Sequence, residues 1–229
     1  DYLFATAFNL INRHNLPLIL ENITETIQIM CSGEIKQLNM LHDYNISEQD
    51  YYDKTYRKTA CLFASSCKVG ALAAKMSTYE VSILEQYGLC LGYAYQIIDD
   101  ILDFVSDTEL LGKTVGNDLI QGNITLPVIL ALKDSEIGDS LRDFLENSPI
   151  TSDLIPQITR KIELTGALNE SLRRARVFLQ SGLEIIAELP ECAVQKKLQD
   201  LSLYILNDYY KKLNKSTILE DTECQVLLS

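Results

Sequence analysis

The 229-residue sequence contains no tryptophan and is poor in glycine and proline, with ten and five residues respectively. A β architecture with many short strands needs these two residue types at its turns. No segment shows a convincing alternation of apolar and polar residues, the pattern that indicates strands. The composition therefore favours long helices in one domain, and the chain is long enough to bury a substantial core.

Histidine is almost absent as well, since only His14 and His42 occur and they are far apart in sequence. A zinc site built on histidines or a Ser-His-Asp triad is therefore not expected.

No Cys-x-x-Cys pair is present, and most of the six cysteines lie in apolar helical segments. We interpret them as reduced thiols of a cytoplasm-like compartment. They are Cys31, Cys61, Cys67, Cys90, Cys192 and Cys224.

Basic residues are outnumbered, 20 against 32 acidic ones, and the net charge is −12. This balance argues against a basic surface for nucleic acid. It suits a site that gathers divalent cations, although a solvated acidic surface is the commoner explanation.

No apolar run reaches transmembrane length once Glu85 and Asp99 are taken as limits. The first residue is Asp1, and no signal or transit peptide is visible.

The most informative segment begins with a run free of charge, residues 86–98, which predicts a buried helix. Three carboxylates follow within five positions, and helical spacing extends their face back through an amide and two glycines. Glycines would leave room beside a set of oxygen ligands, and carboxylates together with substrate phosphates are a typical environment for Mg²⁺. The face consists of Gly88, Gly92, Gln96, Asp99 and Asp103, with Asp100 beside it.

A structural explanation of the same residues stays open at this point. The aspartates could end a helix and face water, and Gly88 and Gly92 could serve only the close approach of another helix. The residues that follow favour the functional interpretation, because Gly112-Lys113, Gly116, Asp118 and residues 122–127 form a glycine-broken segment. An ammonium close after an acidic cluster suits a diphosphate bridged by metal.

These motifs together resemble the second aspartate-rich region of the all-trans polyprenyl diphosphate synthases. The family pattern FQxxDDxxDF, GK, GxDL and GNxTLP corresponds here to residues 95–104, 112–113, 116–119 and 122–127. A single DDxxD is a weak signal, but the ordered set over some thirty residues is specific. The resemblance extends over roughly residues 1–212.

The resemblance implies an all-α, isoprenoid-synthase-type bundle around a central cavity, usually a homodimer. It implies condensation of isopentenyl diphosphate with an allylic diphosphate, and Mg²⁺ as cofactor. By position, the resemblance implies Asp99, Asp100 and Asp103 as metal ligands. Lys58-Thr59-Ala60 is similar to the family's KTA, and the resemblance implies that Lys58, Thr59, Gln96 and Lys113 contact the allylic diphosphate. The implied catalytic residues are Asp99, Lys58 and Lys113.

Helical periodicity and capping signals predict one domain over residues 1–213 and a tail over 214–229. Helices are expected from capping-type starts at Ser47 and Ser77. The remaining segments are predicted at 1–13, 18–41, 125–133, 139–146, 152–165, 168–189 and 193–213. The family resemblance adds an expected cytoplasmic or plastid-stromal location and release of product at a membrane surface, with no transmembrane segment.

Two features depart from the family pattern. An earlier aspartate-rich motif and paired arginines stand ahead of the helix that resembles residues 1–13, and this sequence starts after that position. The chain by itself is therefore expected to be inactive. Asn123 stands where short-chain members often carry lysine, which favours a long product, as for a quinone side chain. The alternatives are a non-catalytic subunit of a heteromeric synthase and a terpene cyclase of similar fold.

Overall fold

A computed structural model describes residues 2–105 and 115–213, apart from the side chains of 206–213. Within these ranges the regular structure is entirely helical, which confirms the predicted fold class. Lys113, Cys224 and the predicted tail lie outside the described residues.

Twelve helical segments follow one another along the described chain. They are α1 (Tyr2–Arg13), α2 (Pro17–Asn39), α3 (Glu48–Thr55), a π-helical turn (Tyr56–Ala60), α4 (Cys61–Ala73), α5 (Thr78–Val105), α6 (Asn117–Ile120), α7 (Leu126–Ala131), α8 (Gly138–Asn147), α9 (Ile155–Leu164), α10 (Ala167–Ile186) and α11 (Ala193–Leu213). Each predicted segment corresponds to a helix, with ends that differ by up to about three residues. The π-helical turn divides the helix predicted from Ser47, and the short helix α6 is an addition.

Helix α5 is the central element, and α4 and α10 are its main neighbours. Its uncharged stretch forms much of the core, and Tyr87, Ala94, Ile97 and Ile101 are completely buried. Removal of these apolar side chains from water is the main stabilisation of the bundle. The acidic end of α5 is thus anchored by a long buried helix.

Gly88 and Gly92 do not leave room for a ligand, which corrects the interpretation given above. A Cβ at Gly88 would lie 2.5 Å from the carbonyl oxygen of Phe63, and one at Gly92 would lie 2.5 Å from the Cα of Ala60. The two glycines let α5 touch the backbone of α4 and of the π-helical turn. The space that a side chain would fill at each glycine is therefore occupied by the neighbouring segment.

The helix before this contact starts with the predicted capping box. The Ser47 hydroxyl accepts a hydrogen bond from the N–H of Asp50 at 3.1 Å, and the Asp50 carboxylate accepts one from the N–H of Ser47 at 3.2 Å. Helix α3 then widens into the π-helical turn, which carries Lys58 and Thr59. Such widened turns are frequent at functional sites, because they re-aim side chains.

The five cysteines of the described ranges are free thiols, as predicted. In the same ranges, none of the helices combines the length and apolarity that a membrane crossing requires.

Candidate functional site

A polar pocket of about 150 Å³ lies where α2, α3, the π-helical turn and the acidic end of α5 meet the segment around α6. Carboxylates, amides, hydroxyls and two ammonium groups line it. The lining residues are Gln37, Tyr51, Lys54, Thr55, Lys58, Gln96, Asp99, Asp100, Asp118, Asn123 and Thr125.

The two adjacent aspartates of α5 have different environments. Asp99 is exposed and lines the pocket, whereas Asp100 is only 2 % exposed. Asp100 accepts hydrogen bonds from the Tyr51 hydroxyl at 2.6 Å and from the Gln96 amide nitrogen at 2.9 Å. Each oxygen of this buried carboxylate therefore has a protein donor.

The pKa of Asp100 is raised to about 7, chiefly by burial, and the nearby carboxylate of Asp118 acts in the same direction. The hydrogen bonds from Tyr51 and Gln96 and the charge of Lys54 act in the opposite direction. An additional cation in the pocket would favour the ionised carboxylate for the same electrostatic reason.

Asp103, the third predicted ligand, is not among the residues that line the pocket but contacts one of them. Its two oxygens accept the N–H groups of Asn117 at 3.2 Å and Asp118 at 3.1 Å, at the start of α6. Burial, with Asp118 as the next cause, raises the pKa of Asp103 to about 6. In this structure Asp103 holds the chain that returns to the pocket, and its role as a metal ligand stays a prediction.

Lys58 lies on the pocket wall and is partly exposed. Its ammonium donates to the Gln37 side-chain oxygen at 2.9 Å and lies 3.7 Å from a carboxylate oxygen of Glu34. Both partners come from α2. The structure thus brings Lys58 into the same pocket as Asp99 and Asp100, as the proposed roles require.

Thr59 contacts the pocket through Gln96. Its hydroxyl donates to the Gln96 side-chain oxygen at 2.7 Å, and the Gln96 amide nitrogen donates to Asp100. The predicted pair Thr59 and Gln96 is therefore joined directly, across the contact between the π-helical turn and α5.

Lys54 is a residue of the pocket that the family motifs do not indicate. Its side chain is 5 % exposed, and its ammonium donates to the Asn123 side-chain oxygen at 2.8 Å and the Ile124 carbonyl at 2.9 Å. Burial lowers the pKa of Lys54, which the carboxylates of Asp100 and Asp118 oppose.

The sequence does contain a signal for the side of the pocket on which Lys54 lies. Tyr51, Lys54 and Lys58 recur at intervals of three and four residues, the spacing of one helical face. Their orientation toward α5 could not be predicted, because it depends on the packing of α3 and the π-helical turn against that helix.

The donor set fits a divalent cation held jointly with a ligand. In the part of the chain that the structure describes, no group of three acidic, histidine or cysteine side chains is arranged to hold a metal alone. Mg²⁺ commonly takes one or two protein carboxylates and completes its shell with water and substrate phosphates. Asp99 and Asp100 suffice for that mode. The buried Thr125 hydroxyl, unpaired within the described residues, adds a polar group for a hydrated ligand.

The fold and this pocket define a helical protein of the isoprenoid-synthase type with an acidic, lysine-flanked ligand site. The Polyprenyl synthetase family model matches residues 1–162, and the chain belongs to that family.

Two curated relatives illustrate the similarity. Heptaprenyl diphosphate synthase component 2 of Bacillus subtilis (strain 168) is 36 % identical over 205 residues, covering 90 % of this chain and 58 % of the relative. Solanesyl diphosphate synthase 2, chloroplastic, of Arabidopsis thaliana is 34 % identical over 207 residues, covering 90 % and 49 %. The chain thus spans about half to three fifths of the length of these relatives.

A solved structure supports the same assignment. The polyprenyl synthase from Caulobacter crescentus CB15, complexed with calcium and isoprenyl diphosphate, superposes with a TM-score of 0.84 at 31 % identity. The match covers 90 % of this chain and 63 % of that one.

Proposed function

We propose that the protein containing this chain condenses isopentenyl diphosphate with an allylic diphosphate to form an all-trans polyprenyl diphosphate. The observation that carries the proposal is the convergence of Asp99 and Asp100 with Lys58, Gln96 and Lys54 on one polar pocket. Acidic groups for a metal and an ammonium for a phosphate stand side by side there.

The proposed cofactor is Mg²⁺, held by Asp99 and Asp100, with Asp103 as the third predicted ligand. A bound divalent cation would neutralise the diphosphate as it leaves the allylic carbon. Calcium and isoprenyl diphosphate in the Caulobacter relative agree with such a pairing of cation and diphosphate.

The residues of this chain would bind and orient the substrate. Lys58, on the pocket wall, donates to a diphosphate oxygen and exchanges its contacts with α2 for this stronger one. Gln96 and Thr59 fix the wall between Lys58 and the carboxylates. Lys113, which lies outside the described residues, is proposed to contact the same diphosphate.

A long product is part of the proposal. The relatives named as heptaprenyl, solanesyl and octaprenyl diphosphate synthases support it, as does Asn123 in the segment that follows α6. A homodimer is the proposed assembly, and the cytoplasm or plastid stroma the proposed location, with the product released at a membrane surface. The chloroplastic relatives are consistent with the second location.

A second candidate function is a subunit of a two-component synthase, because the Bacillus relative is named as component 2 of such an enzyme. In that case the pocket would work only with a partner chain.

The test is incorporation of labelled isopentenyl diphosphate into solvent-extractable product by the full-length protein, with an allylic primer and Mg²⁺. Product that disappears on chelation and returns with Mg²⁺ supports the proposal. Absence of labelled product with every allylic primer would contradict the single-component function. Product only after adding a cell extract fraction would favour the two-component alternative.

A further inference from the structure

The Tyr51 hydroxyl occupies a position that the functions assigned above do not use. Tyr51 is 1 % exposed on α3, and its ring packs against the ring of Tyr52 at 5.4 Å between centroids. Its hydroxyl donates to one oxygen of Asp100 at 2.6 Å, which joins α3 to the acidic end of α5.

The other oxygen of Asp100 determines how the Gln96 amide is oriented. The Gln96 NH₂ group donates to this oxygen at 2.9 Å. The Gln96 carbonyl oxygen then faces the opposite way and accepts the Thr59 hydroxyl at 2.7 Å. A flipped Gln96 amide would bring its oxygen against the carboxylate and is therefore disfavoured.

These bonds link α3 to the π-helical turn, and the donations from both sides converge on Asp100. Tyr51 donates to Asp100, Gln96 donates to Asp100, and Thr59 donates to Gln96. All bond lengths lie within the normal range for strong hydrogen bonds. The Tyr51 ring is 1 % exposed and packs against Tyr52, which fixes the position from which its hydroxyl meets Asp100.

We propose that Tyr51 is a positioning residue of the diphosphate site, which holds the Asp100 carboxylate in place and through it sets the orientation of Gln96 and Thr59. The inference rests on the proposed function of the pocket. It also divides the work between the two adjacent aspartates. Asp100 organises the wall in addition to its proposed contact with the cation, and Asp99 is the exposed carboxylate beside it.

The variant that tests this role is Tyr51→Phe, which removes one hydroxyl and keeps the ring. The matched control is Tyr87→Phe, because the Tyr87 hydroxyl is also buried but bonds the Leu198 carbonyl and Ser202 on α11, away from the pocket. The probe is pyrophosphate with Mg²⁺, titrated calorimetrically into the full-length protein at a temperature where circular dichroism shows every variant folded.

We expect Tyr51→Phe to weaken binding of magnesium pyrophosphate about 10-fold, the usual effect of losing a hydrogen bond to a charged group. Tyr87→Phe should bind within about 2-fold of the wild type, since the lost hydroxyl bonds Leu198 and Ser202 and neither lines the pocket. Equal affinities of the wild type and Tyr51→Phe would overturn the inference.

A double-variant cycle separates positioning from a general loss of structure. In a Gln96→Leu background the chain of bonds is already broken, so Tyr51→Phe should cost less than about 2-fold in further affinity. The same loss in both backgrounds would show that Tyr51 does not act through Gln96 and would overturn the inference.

The proposed function and the inference fail in different ways. No binding of magnesium pyrophosphate by the wild type would overturn both. Binding and turnover by the wild type, with no change in Tyr51→Phe, would overturn the inference alone.

Discussion

At the scale of single residues, Asp99 and Asp100 are neighbours in sequence with opposite environments. Asp100 is buried with two protein donors, and Asp99 is exposed on the pocket lining. Asp99 is therefore accessible to a metal that enters the pocket, whereas Asp100 is held in a buried position. This difference is the reason to rank Asp99 first among the proposed ligands.

We predict that Asp99→Ala lowers the Mg²⁺-dependent turnover of the full-length protein by about two to four orders of magnitude, because a charged ligand of the cation is lost. The measurement is the initial rate of product formation as a function of the Mg²⁺ concentration. The control is Asp139→Ala, which removes an exposed aspartate in the first turn of α8, away from the pocket. Near-full activity of Asp99→Ala with unchanged Mg²⁺ dependence would show that the metal assignment is wrong.

At the scale of elements, the contact of α5 with α4 and the π-helical turn depends on glycines without space for a side chain. We predict that Gly88→Ala lowers the free energy of unfolding by about 1–3 kcal/mol, since its Cβ would meet the Phe63 backbone. Gly70→Ala on α4 is the matched control, because a Cβ there meets no atom within 4 Å. It should be neutral or stabilising by up to about 1 kcal/mol.

Urea titration followed by circular dichroism measures both variants. If Gly88→Ala and Gly70→Ala change the free energy of unfolding equally, the close approach of α4 and α5 is not as described.

The elements themselves could be predicted well from the sequence. Amphipathic periodicity and the caps at Ser47 and Ser77 are local signals, and the helices that they predict are present. The family motifs likewise indicated Lys58, Gln96 and Asp99, which line the pocket. Thr59 does not line it, but it bonds Gln96 directly.

Properties that depend on packing between helices could not be predicted in the same way. Glycine spacing is compatible with a ligand cavity or with a neighbouring backbone, and only the position of α4 decides between them. Lys54 appears as one more surface lysine until α5 and the segment after α6 cover it. The bond from Tyr51 to Asp100 joins residues 49 positions apart.

At the scale of the whole molecule, an ion-pair network ties α3 to α10. Glu48 binds Arg174 and Lys133, and Glu170 binds Arg173 and Arg174. The hydrogen bond from Arg173, aided by Arg174, lowers the pKa of Glu170 from 4.5 to about 2. The ionised carboxylate therefore favours the folded state above pH 4.5, and this contribution is lost as the pH falls toward 2.

We predict that Glu170→Gln destabilises the protein by about 1 kcal/mol at pH 7, a modest value because these side chains are partly exposed. The difference from the wild type should shrink at pH 3. Glu184→Gln, on the same helix but exposed and bonded to Gln180, is the control and should show no such trend. A difference that is constant between pH 7 and pH 3 would contradict the network's role.

The acidic lining residues of the described pocket all come from α5 and α6. Ionisation of an allylic diphosphate is favoured when cations clamp it from two sides. We therefore predict that the 229-residue chain, assayed alone with labelled isopentenyl diphosphate, a primer and excess Mg²⁺, forms no extractable product. Labelled long-chain product from the chain alone would refute this prediction.

The central claim is that this pocket holds a metal-bound diphosphate. The most direct measurement is a crystal structure of the full-length protein with Mg²⁺ and an unreactive allylic thiolodiphosphate. The account predicts diphosphate density beside Lys58, with a cation bound to Asp99 and with the Tyr51–Asp100–Gln96 contacts unchanged. Diphosphate bound elsewhere, or a cation with no contact to Asp99 or Asp100, would contradict it.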